Sequence, residues 1–205
     1  MSPFLMNLAA CFIVIIINQG LKKYGGDLAI GAFGIVNRLV FIVVMIVMGL
    51  NQGMQPIAGY NFGAKLYGRV NKVLKLTIIY ATAVTTFGFL VGMLVPDLVV
   101  GIFTSDAELA ELSVTGLRIT VMFFPIIGFQ MVTSNFFQSI GMAGKAIFLS
   151  LTRQMLILLP CLLILPQFFG VAGVWYSMPV SDLLASLIAL VMLVCQFRKF
   201  RTSPL

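Results

Sequence analysis

Residues 49–65 read GLNQGMQPIAGYNFGAK and lie between two long apolar runs. Asn51, Gln52, Gln55, Tyr60 and Asn61 bring hydrogen-bonding groups into a region that hydropathy assigns to membrane. Pro56 removes a backbone donor, and Gly49, Gly53, Gly59 and Gly63 loosen a helix or permit close packing. In a bilayer such a polar interruption is tolerated only where protein or a water-filled cavity meets it. Two readings follow. One is a discontinuous helix end beside a transport pathway. The other is a helix stop followed by a polar cytoplasmic turn that ends at Lys65.

Composition makes membrane the setting. The 205 residues are 60% hydrophobic and 9% charged, with a mean hydropathy of +1.10. Soluble domains carry about 25% charged residues, so the chain reads as an all-α integral membrane protein with several spans. The net charge of +7 flanks the apolar runs. It therefore sets topology against the bilayer, and no nucleic-acid partner is expected. Cys11, Cys161 and Cys195 sit singly in apolar runs, and there is no His. Neither a disulfide framework nor a metal site is indicated. No phosphate-cradling Gly loop and no catalytic His or Cys pair is present, so the chain does not read as an enzyme and no cofactor is expected.

Six spans are predicted, at residues 4–17, 28–50, 76–95, 119–140, 146–165 and 171–197, as one transmembrane unit (1–197) with a basic tail (198–205). The first run is short. About 14 residues reach roughly 21 Å, against a hydrocarbon thickness of about 30 Å. A short first span starting almost at residue 1 points to missing upstream sequence, and with nothing basic before the run and no cleavage site after it no signal peptide is evident. GLKKYGGD (20–27) reads as a turn. Lys65, Arg69, Lys72 and Lys75 recur on one helical face, the pattern of a short interfacial helix. Gly88 and Gly92 permit close helix approach. Ser105 followed by Glu108 matches a capping box.

With six spans both termini share a side. The 65–75 turn, the 141–153 turn and the tail hold nine basic residues, against Lys22, Lys23 and Arg118 opposite. The termini are therefore expected in the cytoplasm. Arg38 is taken as intramembrane, whereas Arg118, Lys145 and Arg153 read as snorkelling anchors.

Asp182 is the only acid within a predicted span, roughly 16 Å deep by helical rise. Arg38 reaches a similar depth. Three roles stand for Asp182: ion coupling, pairing with Arg38 or sharing its polar network, and local capping after Pro179 and Ser181. Gln130, Ser134 and Gln138 repeat every four residues near Phe123 and Phe137. They suit either a polar and aromatic cavity wall for bulky amphipathic cations or interhelical hydrogen bonding. Asn7, Asn37, Gln52, Gln55 and Asn61 join them as substrate-cavity candidates.

The stretch 49–65, followed by GRVNKVLK (68–75), resembles the second-lobe motif of the MATE (multidrug and toxic compound extrusion) family. GGDLAIGAFGIVNR (25–38), FQSIGMAGKA (137–146) and GVWYSMPVSDLL (173–184) are similar to the same family in the same order, nearest to its MepA-like branch. The resemblance implies one six-helix lobe, family helices seven to twelve, of a two-lobed exporter in the bacterial inner membrane. A Na⁺ or H⁺ gradient would drive export of drugs and toxic organic cations by alternating access. It also implies a missing N-terminal lobe or a partner lobe. Some Na⁺-coupled members carry carboxylates in helices seven and ten. The matching spans here, 4–17 and 119–140, contain no Asp or Glu, so a cation site of that kind is not expected in this half. The alternatives are a lipid-linked precursor flippase of the same superfamily, or a non-transporting truncated fragment.

Overall fold

The computed structural model describes residues 2–202, with side chains described over 8–197. Helix α1 (Ser2–Gly63) is interrupted at Gly26, where φ is 69° and ψ is −163°. Only glycine adopts that backbone region readily, and there the chain folds back. Val14 and Ile17 of the 2–25 arm meet Val36 and Val40 of the 27–63 arm around one cavity. Helix α2 (Tyr67–Leu94) follows, then the short α3 (Pro96–Gly101) and α4 (Ala107–Val121). Helix α5 (Phe124–Ser139) continues α4 across a 55° bend. Helix α6 (Ala143–Leu151), a π-helical segment (Thr152–Leu158) and α7 (Leu159–Phe169) form one continuous rod, and α8 (Val171–Thr202) returns along it.

By length and composition α1, α2, the bent α4–α5 pair, the α6–α7 rod and α8 can each cross a membrane, up to five candidate spans against the six expected, and the fold at Gly26 divides α1 into two arms. The all-helical architecture expected from hydropathy is present, but several boundaries move. The first crossing is not short: its arm runs to residue 25, because Lys22 and Lys23 stay helical. The 27–63 arm passes through Pro56 without stopping, so no discontinuous helix lies at 49–63. At 1.5 Å per residue this arm is about 55 Å long, and its polar half runs beyond an apolar layer of about 30 Å. The helix stops after Gly63, with Lys65 at a positive φ of 58°, as the polar-turn reading requires. No separate interfacial helix forms, because Arg69, Lys72 and Lys75 belong to the first turns of α2. Asp106, not Ser105, caps α4; its Oδ1 accepts from the backbone N–H of Glu108 at 3.0 Å and of Leu109 at 3.2 Å.

Two apolar clusters stack along the bundle. One surrounds Leu21, Phe33, Val36 and Trp175, and the other surrounds Met54, Leu74, Phe136 and Phe137. Helix approach is close where glycines allow it. A Cβ at Gly128 would lie 2.8 Å from the Ala81 carbonyl oxygen, and one at Gly173 would lie 2.4 Å from that of Leu165. The Gly88 and Gly92 pair is also in tight contact, against Val43 and Val121 respectively. Several hydroxyls inside the helices satisfy themselves locally. Thr85, Thr120, Thr133, Ser177 and Ser186 each donate to the carbonyl four residues earlier, whereas Thr152 Oγ1 is buried without a partner.

Candidate functional site

Between the two apolar clusters lies the polar level of the molecule. Arg153 stands between Leu149 of one cluster and Leu158 of the other, and Asp182 stands between Trp175 and Ala189. Arg153 Nε donates to Asp182 Oδ1 at 2.6 Å. The Asp182 side chain is 6% exposed and that of Arg153 is 32% exposed. Arg153 lies ten residues past the start of α6, about 15 Å by helical rise, which matches the depth expected for Asp182. A π turn carries one more residue than an α turn and so redirects the side chains it holds. Here it carries Arg153 and Gln154.

Two chambers meet at this pair, and Arg153 and Met131 line both. The first, about 230 Å³, is mainly apolar, with Phe33 and Phe124 on its wall and Asn37, Ser181 and Asp182 at its polar end. The second, about 490 Å³, is lined mostly by amides: Asn51, Gln52, Gln55, Gln130, Asn135 and Gln138. Gln55 Nε2 donates to Asn135 Oδ1 at 3.5 Å, and Asn135 Nδ2 donates to the Met131 carbonyl at 2.9 Å. Asn51 is 1% exposed, and neither its Oδ1 nor its Nδ2 has a hydrogen-bond partner. Gln154 Oε1, in the same chamber, is likewise buried and unpaired. Burying unpaired amide groups costs about 1–3 kcal/mol each, so this chamber is built to hold something polar.

The structure brings together five of the sequence candidates, Gln52, Gln55, Gln130, Ser134 and Gln138, around the second chamber. Asn37 and Asp182 border the first. Asn61 and Phe123 border neither. Asn61 Nδ2 instead donates to the Ile57 carbonyl at 2.8 Å, and Phe123 stands at the bend before α5. Asn7 lies outside the residues whose side chains are described. The pairing expected between Arg38 and Asp182 does not form. Arg38 is exposed, and Arg153 takes the carboxylate. Arg153 is accordingly no interface anchor, and Asp182 is paired across helices rather than acting as a local cap. Asn51, Asn135 and Gln154 were not among the cavity candidates. An arginine at the depth of the sole intramembrane acid is the signal that would have found the pair.

Membrane-length helices surround a polar chamber with one buried charge pair at mid-depth, the architecture of a multi-pass integral membrane protein. The chain belongs to the MatE family, which its sequence matches over residues 3–164. It is 29% identical over 187 residues to the multidrug export protein MepA of Staphylococcus aureus (strain MSSA476), covering 91% of this chain and 41% of that protein. It is 25% identical over 187 residues to MepA of Staphylococcus saprophyticus, with the same coverage. Among solved structures, the MATE multidrug transporter DinF-BH is 36% identical, with a TM-score of 0.85 over 98% of this chain and 45% of that one. An outward-facing MATE transporter of the MOP superfamily, 19% identical, shares the fold with a TM-score of 0.89 over 97% of this chain and 45% of its own. The chain spans less than half the length of the relatives it matches.

Proposed function

We propose that this chain acts as the second, C-terminal lobe of a multidrug exporter in a bacterial inner membrane. It moves bulky cationic or amphipathic compounds by alternating access, at the expense of a Na⁺ or H⁺ gradient. The observation that carries this is the amide-lined chamber of about 490 Å³, a volume suited to a drug-sized solute, in a chain less than half as long as MepA. The other wall of the pathway is then a first lobe, on a longer chain or supplied by a partner. Both termini lie in the cytoplasm. With Arg153 moved into the membrane, eight basic residues remain on the terminal side against three opposite, and the bias keeps its sign. A lipid-linked precursor flippase calls for a strongly basic cavity. The chambers hold one basic side chain, Arg153, which falls short of that.

Ethidium efflux in a pump-deficient bacterium tests this. The chain is expressed alone and together with a MepA-like first lobe, with insertion into the membrane checked in both. Efflux only with the added lobe is the expected result. Efflux from the chain alone would show that six helices suffice and would overturn the need for a second lobe. No efflux from an inserted, assembled pair would overturn the export function.

A further inference from the structure

We infer that Arg153 and the amides around it recognise an oxyanion, such as a carboxylate or sulfonate carried by an amphipathic solute. This rests on the export function proposed above and names a chemical group that the compound must present. Arg153 makes one bond to protein, from Nε to Asp182 Oδ1 at 2.6 Å. Among the described residues its terminal nitrogens meet no acceptor, although its side chain is only 32% exposed. A guanidinium held at Nε by a carboxylate keeps its terminal N–H groups free as a fork. That fork matches the two oxygens of a second oxyanion. Asp182 is thus a positioning residue, and Arg153 is the group that touches the ligand.

The lining of the larger chamber supports the same chemistry. It contains no Asp or Glu. A positive charge on the solute finds no carboxylate there, and Asp182, on the first chamber, already has its counter-ion. Asn51, 1% exposed with both amide atoms unpaired, is a second and independent sign of a missing polar ligand. Met48 and Met131 add adaptable apolar surface to the same wall. The compound that fits has a polar anionic end and a broad apolar body.

Fluorescence polarisation of a matched dye pair tests this. Rhodamine B carries a free carboxylate and its ethyl ester does not. The full chain is reconstituted in phosphatidylcholine nanodiscs, and the quantity read is the ratio of the two affinities. Wild type is expected to favour the acid by about tenfold, as for a charge-assisted bidentate pair. Arg153→Lys keeps a counter-ion for Asp182 but loses the fork, and is expected to bring the ratio close to one. The double variant Arg153→Gln with Asp182→Asn removes both charges together, so no lone buried charge threatens folding, and it is expected to lose the preference as well. A wild-type ratio near one, or a tenfold ratio that survives both variants, would overturn the oxyanion site while leaving export intact. Binding of neither dye would overturn the oxyanion site on this chain, while efflux with the added lobe tests export separately. Displacement of the acid, but not the ester, by added phosphatidylglycerol would keep the oxyanion site and overturn the solute as its occupant.

Discussion

Removal of the Arg153 side chain should be far more damaging than neutralisation of Asp182. In Arg153→Met the Asp182 carboxylate stays in place, 6% exposed and without a partner. An orphaned buried charge of this kind costs about 3–5 kcal/mol. In Asp182→Asn the side-chain oxygen still accepts from Arg153 Nε, and the guanidinium keeps the 32% of its surface that faces the chambers. The loss is then the charge-assisted part of one hydrogen bond, about 1–2 kcal/mol. The double change Arg153→Met with Asp182→Leu removes both charges and should return to within about 1 kcal/mol of wild type, since a buried pair contributes little net stability over apolar residues of similar size. Trp175 is the only tryptophan. It is 2% exposed and stands 5.9 Å from the Phe33 ring between centroids, so its fluorescence reports unfolding directly. Unfolding by dodecyl sulfate in mixed micelles, followed at Trp175, gives the three free energies. Arg38→Gln serves as the control and should leave the midpoint where it is, because Arg38 is exposed. No loss in Arg153→Met, or no recovery in the double variant, would refute a buried pair. A large loss in Arg38→Gln would restore the pairing that hydropathy depth alone proposes.

Four further substitutions separate steric, conformational and polar effects, all measurable by the same unfolding assay. Gly173→Ala places a Cβ 2.4 Å from the Leu165 carbonyl oxygen and should cost about 1–3 kcal/mol by overpacking. Gly88→Ala, which meets the side chain of Val43 rather than backbone, should cost less. Gly26→Ala meets no atom within 4 Å, yet its φ of 69° with ψ of −163° should cost about 1–3 kcal/mol through backbone strain alone. Asn51→Leu should hold or raise stability, since it removes two unpaired buried amide atoms, while weakening dye binding measured by polarisation.

The helical, multi-span character was legible because it depends on length and apolarity summed over about 20 residues, quantities that sequence carries without knowledge of neighbours. The turn at Gly25–Gly26 was placed within a broader polar segment, but its sharpness was not visible. Lysines at 22 and 23 read as loop residues although a helix end tolerates them equally well. Pro56 with four nearby glycines suggested a broken helix. The 27–63 arm is long enough to carry them past the apolar layer, where polar groups meet water, so the local signals lost their force. The wall of the larger chamber was half legible. Gln130, Ser134 and Gln138 share a helical face by spacing, whereas Asn51 and Gln154 join them only through helix packing.

The charge pair shows where periodicity runs out. Depth is a one-dimensional property, and by depth Arg38, Arg153 and Asp182 are all comparable. Azimuth decides among them. A regular α-helix advances 100° per residue, so the direction of a side chain is predictable only while the helix remains regular. The π turn at Thr152–Leu158 adds a residue and breaks that count at the position where Arg153 must turn inward to reach Asp182. Helix α8 presents Asp182 four residues before Ser186, which donates to the Asp182 carbonyl at 2.6 Å, so that face is held in register. The irregular helix thus supplies the cation to a carboxylate on a regular one. The physical reason is economy of insertion. A lone mid-depth charge costs about 2.5–3.5 kcal/mol, and a single extra backbone residue lets two such charges meet and leaves the arginine fork at the boundary between the two chambers.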